Sequence, residues 1–139
     1  MKPLYTTAVK ATGGREGHVQ SEDGIINFDV RMPKELGGSG EKATNPEQLF
    51  AAGYAACYDS ALQLVIRREK VKADNTEVTA NVTIGKDEAD GGFKLAVRLD
   101  VSIPEISKEE AERLAREAHK VCPYSKATRD NIDVTIIIV

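Results

Sequence analysis

Two cysteines, Cys57 and Cys122, are the residues of this 139-residue chain best suited to nucleophilic or redox chemistry. A cysteine attacks as its thiolate. Oxidised to a sulfenic acid, it condenses with a second thiol to a disulfide. The two lie 65 residues apart (122 − 57), so any meeting between them is a tertiary event. One cysteine on each of two helices, both facing inward, would supply an attacking and a resolving thiol. Two inert core cysteines leave the same pattern, and periodicity does not choose between them. A zinc site is not expected, because there is no C-x-x-C pair and His18 and His119 do not make ligand spacing with the cysteines. His119 stands three residues before Cys122. It is open to a Cys–His dyad, to a charge at a helix C-terminus or to a packed surface imidazole.

The elements that position these residues read as follows. Leu4–Lys10 has strand composition, Ser21–Gly24 is turn chemistry, and Ile26, Phe28, Val30 and Met32 alternate with polar residues as in a half-buried strand. Pro33 ends that strand, and Gly37–Gly40 is a loop. Asn45 as N-cap, Pro46 at N1 and Gln48 at N3 open a helix. Its run Leu49–Cys57 is apolar nearly all round, which predicts cover on several sides. Gly53 in the helix interior costs about 1 kcal/mol against alanine, so close packing is its expected reason. Val78–Ile84 and Phe93–Ile103 alternate as two strands joined at Asp90-Gly91-Gly92. Ser107-x-x-Glu110 is a capping box for a second helix. Its stripe is Ala111, Leu114, Ala115, Ala118, Val121 and Cys122, and Pro123 breaks it. Ile132–Val139 is a last strand. The order β-β-α-β-β-α-β predicts an α+β fold, antiparallel sheets on two main helices, in one domain spanning 1–139.

Hydrophobic residues make up 41% of the chain and charged residues 29%, an ordinary globular balance. The net charge of −3, from 19 basic and 22 acidic residues, argues against nucleic acid. No apolar run approaches the ~20 residues of a bilayer span, so no membrane partner is expected. The first fourteen residues hold no apolar signal core, which points to the cytoplasm.

The segment NPEQLFAAGYAAC, Asn45–Cys57, resembles the first cysteine motif of the organic hydroperoxide resistance (Ohr) proteins, part of the wider Ohr/OsmC superfamily of thiol peroxidases. CPYSKATRDNIDV, Cys122–Val134, resembles that family's second cysteine motif. ATGGREGHVQSEDG, Ala11–Gly24, is similar to the stretch that carries its active-site arginine. The likeness runs in order over essentially the whole chain and departs at Asp130, where relatives often carry glycine. It implies an OsmC/Ohr-like fold, Cys57 as the peroxidatic cysteine and Cys122 as the resolving one. It also implies Arg15 and Glu47 as the network that stabilises the thiolate. The implied reaction is reduction of organic hydroperoxides to alcohols in the response to oxidative stress. It passes through a Cys57 sulfenate and a Cys57–Cys122 disulfide, with no bound cofactor and with dihydrolipoamide on a lipoylated protein as reductant.

Physical chemistry puts demands on such a site. A free cysteine near pKa 8.5 is only about 7% thiolate at pH 7.4, and burial lowers that fraction. Arg15 is permanently charged and offers a planar fork of donors, which Glu47 could hold in place. Read alone, Arg15 is first a surface cation in a glycine-rich turn, and Glu47 is equally a first-turn acid complementing the helix dipole. Full ionisation raises the thiolate fraction only about 13–15-fold, roughly 1.5 kcal/mol. Arg15 must therefore also stabilise the departing alkoxide. Phe50, Met32 and Tyr124 are candidate liners for an alkyl chain, at about 0.8 kcal/mol per buried methylene. Glu47 and Cys57 are ten residues apart, about 15 Å on one helix. That predicts an intertwined homodimer in which Arg15 and Glu47 of one subunit serve Cys57 of the other. Two other readings stay open: a redox-sensing or ligand-binding cysteine switch without turnover, and a Cys–His hydrolase, for which no oxyanion hole is apparent.

Overall fold

The computed structural model describes residues 1–139, which form two compact units, Met1–Leu49 and Phe50–Val139. The N-terminal unit holds a three-stranded antiparallel sheet of β1 (Val9–Thr12), β2 (His18–Ser21) and β3 (Asn27–Asp29). The expected strand over Leu4–Lys10 begins only at Val9, because residues 1–8 have no neighbouring strand to pair with in the single chain. The expected strand over Ile26–Met32 shortens to β3, and Val30 continues it as an isolated parallel bridge to Thr44. Between these two lies β2, which the composition did not signal. Val30 is buried, whereas Phe28 is exposed, so the apolar face of the alternation is only partly covered.

Helix α1 (Pro46–Arg68) opens as its cap residues predict, with Gln48 N–H donating to Asn45 Oδ1 at 2.8 Å. Gln48's own side chain accepts from Thr44 Oγ1 instead of closing a capping box. By length and composition α1 is apolar enough to cross a membrane, which the run-length argument had excluded. Its polar atoms place it in a protein core instead, since Tyr54 and Tyr58 are fully buried with their hydroxyls bonded inside the fold. Within Leu49–Cys57 only Tyr54 is fully buried and Ala52 and Ala56 are exposed, so the predicted all-round cover is absent in the single chain.

The C-terminal unit packs α1 from Phe50 onward, α2 (Lys108–Val121) and α3 (Pro123–Thr128) with a sheet of order β4-β5-β6. Strands β4 (Glu77–Lys86) and β5 (Phe93–Ser102) pair antiparallel over ten residues, from Glu77↔Ser102 to Lys86↔Phe93. Phe93 ends up exposed at the hairpin tip, at the uncovered end of its apolar face. Strand β6 (Val134–Ile138) joins β5 in parallel, which corrects the all-antiparallel expectation. The helical crossover through α2 and α3 carries the chain back to the same end of the sheet, and parallel pairing requires such a connection. Ser107 caps α2 through its hydroxyl, but Glu110 turns to Arg113 rather than back to the cap. Ala111, Leu114, Ala115, Ala118 and Cys122 are buried as the stripe predicts, while Val121 is exposed. Pro123 both ends α2 and starts α3, because a proline is tolerated in a first helical turn.

Candidate active site

The sulfur pair sits where three helices meet. Cys57 is half-buried on α1, and Cys122 is fully buried at the joint between α2 and α3. Both are free thiols, and Cys122 Sγ lies 3.6 Å from Cys57 Sγ, placed to donate its proton. The first turn of α3 borders both sulfurs. Ser125 N–H points at Cys122 Sγ at 3.5 Å, and the backbone of Tyr124 lies against Cys57 and favours its thiolate. Burial pushes the Cys57 thiol up, and the neighbouring Cys122 adds to the rise against the opposing Tyr124 backbone. Within this unit no cation counters that burial.

Phe50, Tyr54 and Tyr124 form an aromatic cluster here, with ring centroids 5.7–6.2 Å apart. Gly53 has a specific reason. A Cβ there would stand 2.9 Å from the Tyr124 hydroxyl and 3.2 Å from its ring, so the close packing expected at this glycine is against the Tyr124 side chain. Of the three candidate liners, Phe50 and Tyr124 share this cluster, and Met32 belongs to the N-terminal unit.

In the N-terminal unit the structure brings Arg15 and Glu47 together. Arg15 Nη1 donates to Glu47 Oε2 at 2.8 Å and Nη2 to Oε1 at 2.6 Å, a bidentate pair that uses two of the five guanidinium donors. The pairing holds the Glu47 carboxyl below its ordinary range and raises Arg15 further. Arg15 rides on a one-turn 3-10 helix, Gly14–Glu16, between β1 and β2. Gly13 enters it at φ 74°, and a Cβ on Gly17 would fall 1.7 Å from Thr12 O, so only glycine closes this loop. Arg31 Nη1 donates to the Gly17 carbonyl at 3.1 Å and steadies the loop's exit.

His119 makes no dyad with either cysteine. Its Nδ1 meets Ser125 Oγ at 2.9 Å, and burial together with Arg129 lowers its pKa, so it is also no charged helix terminus. Sequence reasoning missed Ser125, Thr128 and the hydroxyl of Tyr54. The signal available was a tyrosine inside a run otherwise made of small and apolar residues, since a buried tyrosine O–H needs a partner. Tyr58 and Asp59 have structural partners. The Tyr58 hydroxyl donates to Ala115 O at 2.6 Å, and Asp59 accepts from Thr76 and Gln63. No group of three or more His, Cys, Asp or Glu side chains is arranged to hold a metal.

Comparison with known proteins decides the family. A family model described as OsmC-like protein matches residues 38–137. The organic hydroperoxide resistance protein OhrA of Bacillus subtilis is 60% identical over 97% of this chain and 96% of its own length. The chain belongs to the organic hydroperoxide resistance family, within the OsmC-like proteins. The crystal structure of OhrB from Bacillus subtilis matches with a TM-score of 0.92 at 47% identity, covering 99% of this chain and 100% of that one. A family member from Elizabethkingia anophelis, crystallised with thiocyanate bound, matches at 0.93 and 55% identity over 99% and 98% of the two chains. The α+β architecture of two sheets and three helices is thus that of the Ohr family.

Proposed function

We propose that this Ohr-family chain is a cysteine-based peroxidase that reduces organic hydroperoxides, with Cys57 as the attacked sulfur and Cys122 as the resolving one. The observation that carries this reading is the 3.6 Å approach of a half-buried and a fully buried free thiol. The Cys57 thiolate attacks the distal peroxide oxygen. The O–O bond breaks, the alkoxide takes a proton and leaves as alcohol, and Cys57 becomes a sulfenic acid. Cys122 then attacks that sulfur, and the sulfenic oxygen leaves as water with the Cys122 proton. A dithiol, dihydrolipoamide on a lipoylated protein, returns both cysteines to thiols and is itself oxidised to the cyclic disulfide. No bound cofactor takes part.

Burial raises the Cys57 thiol, so the reading assigns Arg15 the compensating charge and the stabilisation of the departing alkoxide. Glu47 fixes two of its donors and leaves three free. The reading also makes the chain an intertwined homodimer, with Arg15 and Glu47 of one subunit serving Cys57 of the other. Two features favour this. Helix α1 runs without a break from Pro46 to Arg68, so ten positions along it rise about 15 Å. Leu4, Tyr5, Val9, Ile25 and Phe28 are apolar and exposed in the single chain. All 139 residues are taken as one functional domain, acting in the cytoplasm, where thiols are kept reduced.

The test is cumene hydroperoxide with the reduced protein. Turnover gives stoichiometric alcohol, an intact mass lower by two hydrogens, and recovery with dihydrolipoamide. Oxidation that never cycles favours a redox switch instead, and full activity in Cys57→Ser overturns the assignment.

A further inference from the structure

A chain of side-chain hydrogen bonds runs behind the sulfur pair, and its proton directions follow from counting. Thr128 Oγ1 lies 3.0 Å from Tyr124 O and 3.2 Å from Ser125 O, both carbonyl acceptors, so its single proton goes to them. Thr128 must then accept from Tyr54, whose hydroxyl is 3.1 Å away. That uses the only Tyr54 proton, so Tyr54 accepts from the Ser125 hydroxyl at 3.0 Å. Ser125 in turn has no proton left for His119, and the 2.9 Å contact must be donated by His119 Nδ1–H. The chain reads His119 → Ser125 → Tyr54 → Thr128 → backbone, and each member has one role open to it.

The chain ties α2, through His119, and α1, through Tyr54, to the two buried polar residues of α3. Ser125 and Thr128 are 0% and 6% exposed. The turn so fixed is the one whose Ser125 N–H points at Cys122 Sγ. We propose that Tyr54, Ser125, Thr128 and His119 are positioning residues for the resolving step, a one-directional clamp that sets Cys122 against Cys57 and fixes a proton on His119 Nδ1. This rests on the reading of Cys57 as attacked sulfur and Cys122 as resolver. The clamp acts after the sulfenic acid has formed, when speed of disulfide closure decides whether a second hydroperoxide oxidises Cys57 to the sulfinic acid.

Three measurements test it. Nitrogen-15 NMR of the reduced protein at pH 7.5 gives His119 protonated on Nδ1, and Ser125→Ala returns it to the Nε2–H form. An Nε2–H tautomer in the unmodified protein overturns the clamp. In single turnovers with cumene hydroperoxide, Tyr54→Phe and His119→Leu raise the sulfinic fraction of Cys57 about tenfold, as expected when a reacting group loses its alignment. The rate at which the Cys57 thiol is consumed stays unchanged. His119→Asn, which sets an amide N–H where Nδ1–H stood, restores the normal partition. Variants that only melt earlier, with an unchanged partition, overturn the proposal.

The third measurement needs no peroxidase activity. Diamide oxidises the two thiols directly to the disulfide and is itself reduced to the hydrazine. Closure by diamide is about tenfold slower in Tyr54→Phe and His119→Leu, and equal rates overturn the clamp. If Cys122→Ser treated with hydroperoxide yields no sulfenic acid on Cys57, the peroxidase reading fails while the diamide rates still judge the clamp.

Discussion

The two clusters of candidate residues, which the proposed homodimer would join into one site, are built differently. The sulfur half belongs to the C-terminal unit, where Cys57 and Cys122 are framed by three helices, a buried polar chain and the fully buried Tyr54 and Tyr58. The arginine half belongs to the N-terminal unit, where a one-turn helix between glycines carries Arg15, and one bidentate pair to Glu47 defines its direction. Arg15's side chain is 32% exposed and Glu47's 14%. Packing fixes the sulfurs, and a single ion pair aims the charge. Geometry is thus costly to disturb in the first half, and chemistry is easy to retune in the second.

The comparison can be broken first at the nucleophile. Cys57→Ser lowers kcat/KM for cumene hydroperoxide by at least about 10⁴-fold, the scale seen when a nucleophile is removed, while thermal stability hardly moves. Next comes the charge. Arg15→Ala lowers kcat/KM by about 10²–10³-fold, as for loss of one oxyanion donor, and raises the Cys57 thiol pKa read from thiolate absorbance. If that pKa stays put, the arginine half does not serve this sulfur. Arg15→Lys recovers only part of the activity, because an ammonium cannot make the planar two-pronged contact.

Glu47→Gln keeps the shape but weakens the aim, and costs about tenfold in kcat/KM. It also gives a pH signature. The folded Glu47 carboxyl sits below its ordinary value of 4.5, so the ion pair contributes its full stability above that pH. The contribution is lost as pH falls through the lowered folded value. Melting curves of the unmodified protein and Glu47→Gln should therefore converge on acidification below pH 4.5, and a constant gap would contradict the pairing. The smallest effect is a control in the rigid half. Lys70 takes φ 56° just past the end of α1, where Lys70 N–H bonds Arg67 O and Val71 N–H bonds Ile66 O. Lys70→Gly stabilises the fold by about 1 kcal/mol in denaturant unfolding and leaves kcat unchanged, because it relieves the left-handed backbone away from the sulfurs.

How much was legible in the chain follows the same division. The sulfur half was readable because caps, stripes and breakers are local. Asn45, Ser107 and Pro123 each mark a helix boundary where the sequence places one. The resemblance motifs named all four candidate residues, and the structure pairs them two by two. What local patterns did not carry was pairing. The parallel partnership of β6 with β5 depends on the crossover, and the short β2 has little periodicity to show. The Tyr54–Ser125 bond spans 71 positions and leaves no mark in either segment. Asp130 is a different case. It stands at φ 60°, a conformation that aspartate tolerates better than most residues, so the departure from glycine keeps the turn.

The separation of 65 positions between two touching sulfurs has a thermodynamic side. Each disulfide formed would tie a loop of that length in the unfolded ensemble, worth about 4 kcal/mol by chain entropy. Oxidised and reduced forms would then differ in folding stability by a sizeable share of a small domain's total. The protein's redox state would be written in its resistance to unfolding, so a thermal melt without any substrate reads how many molecules await their reductant.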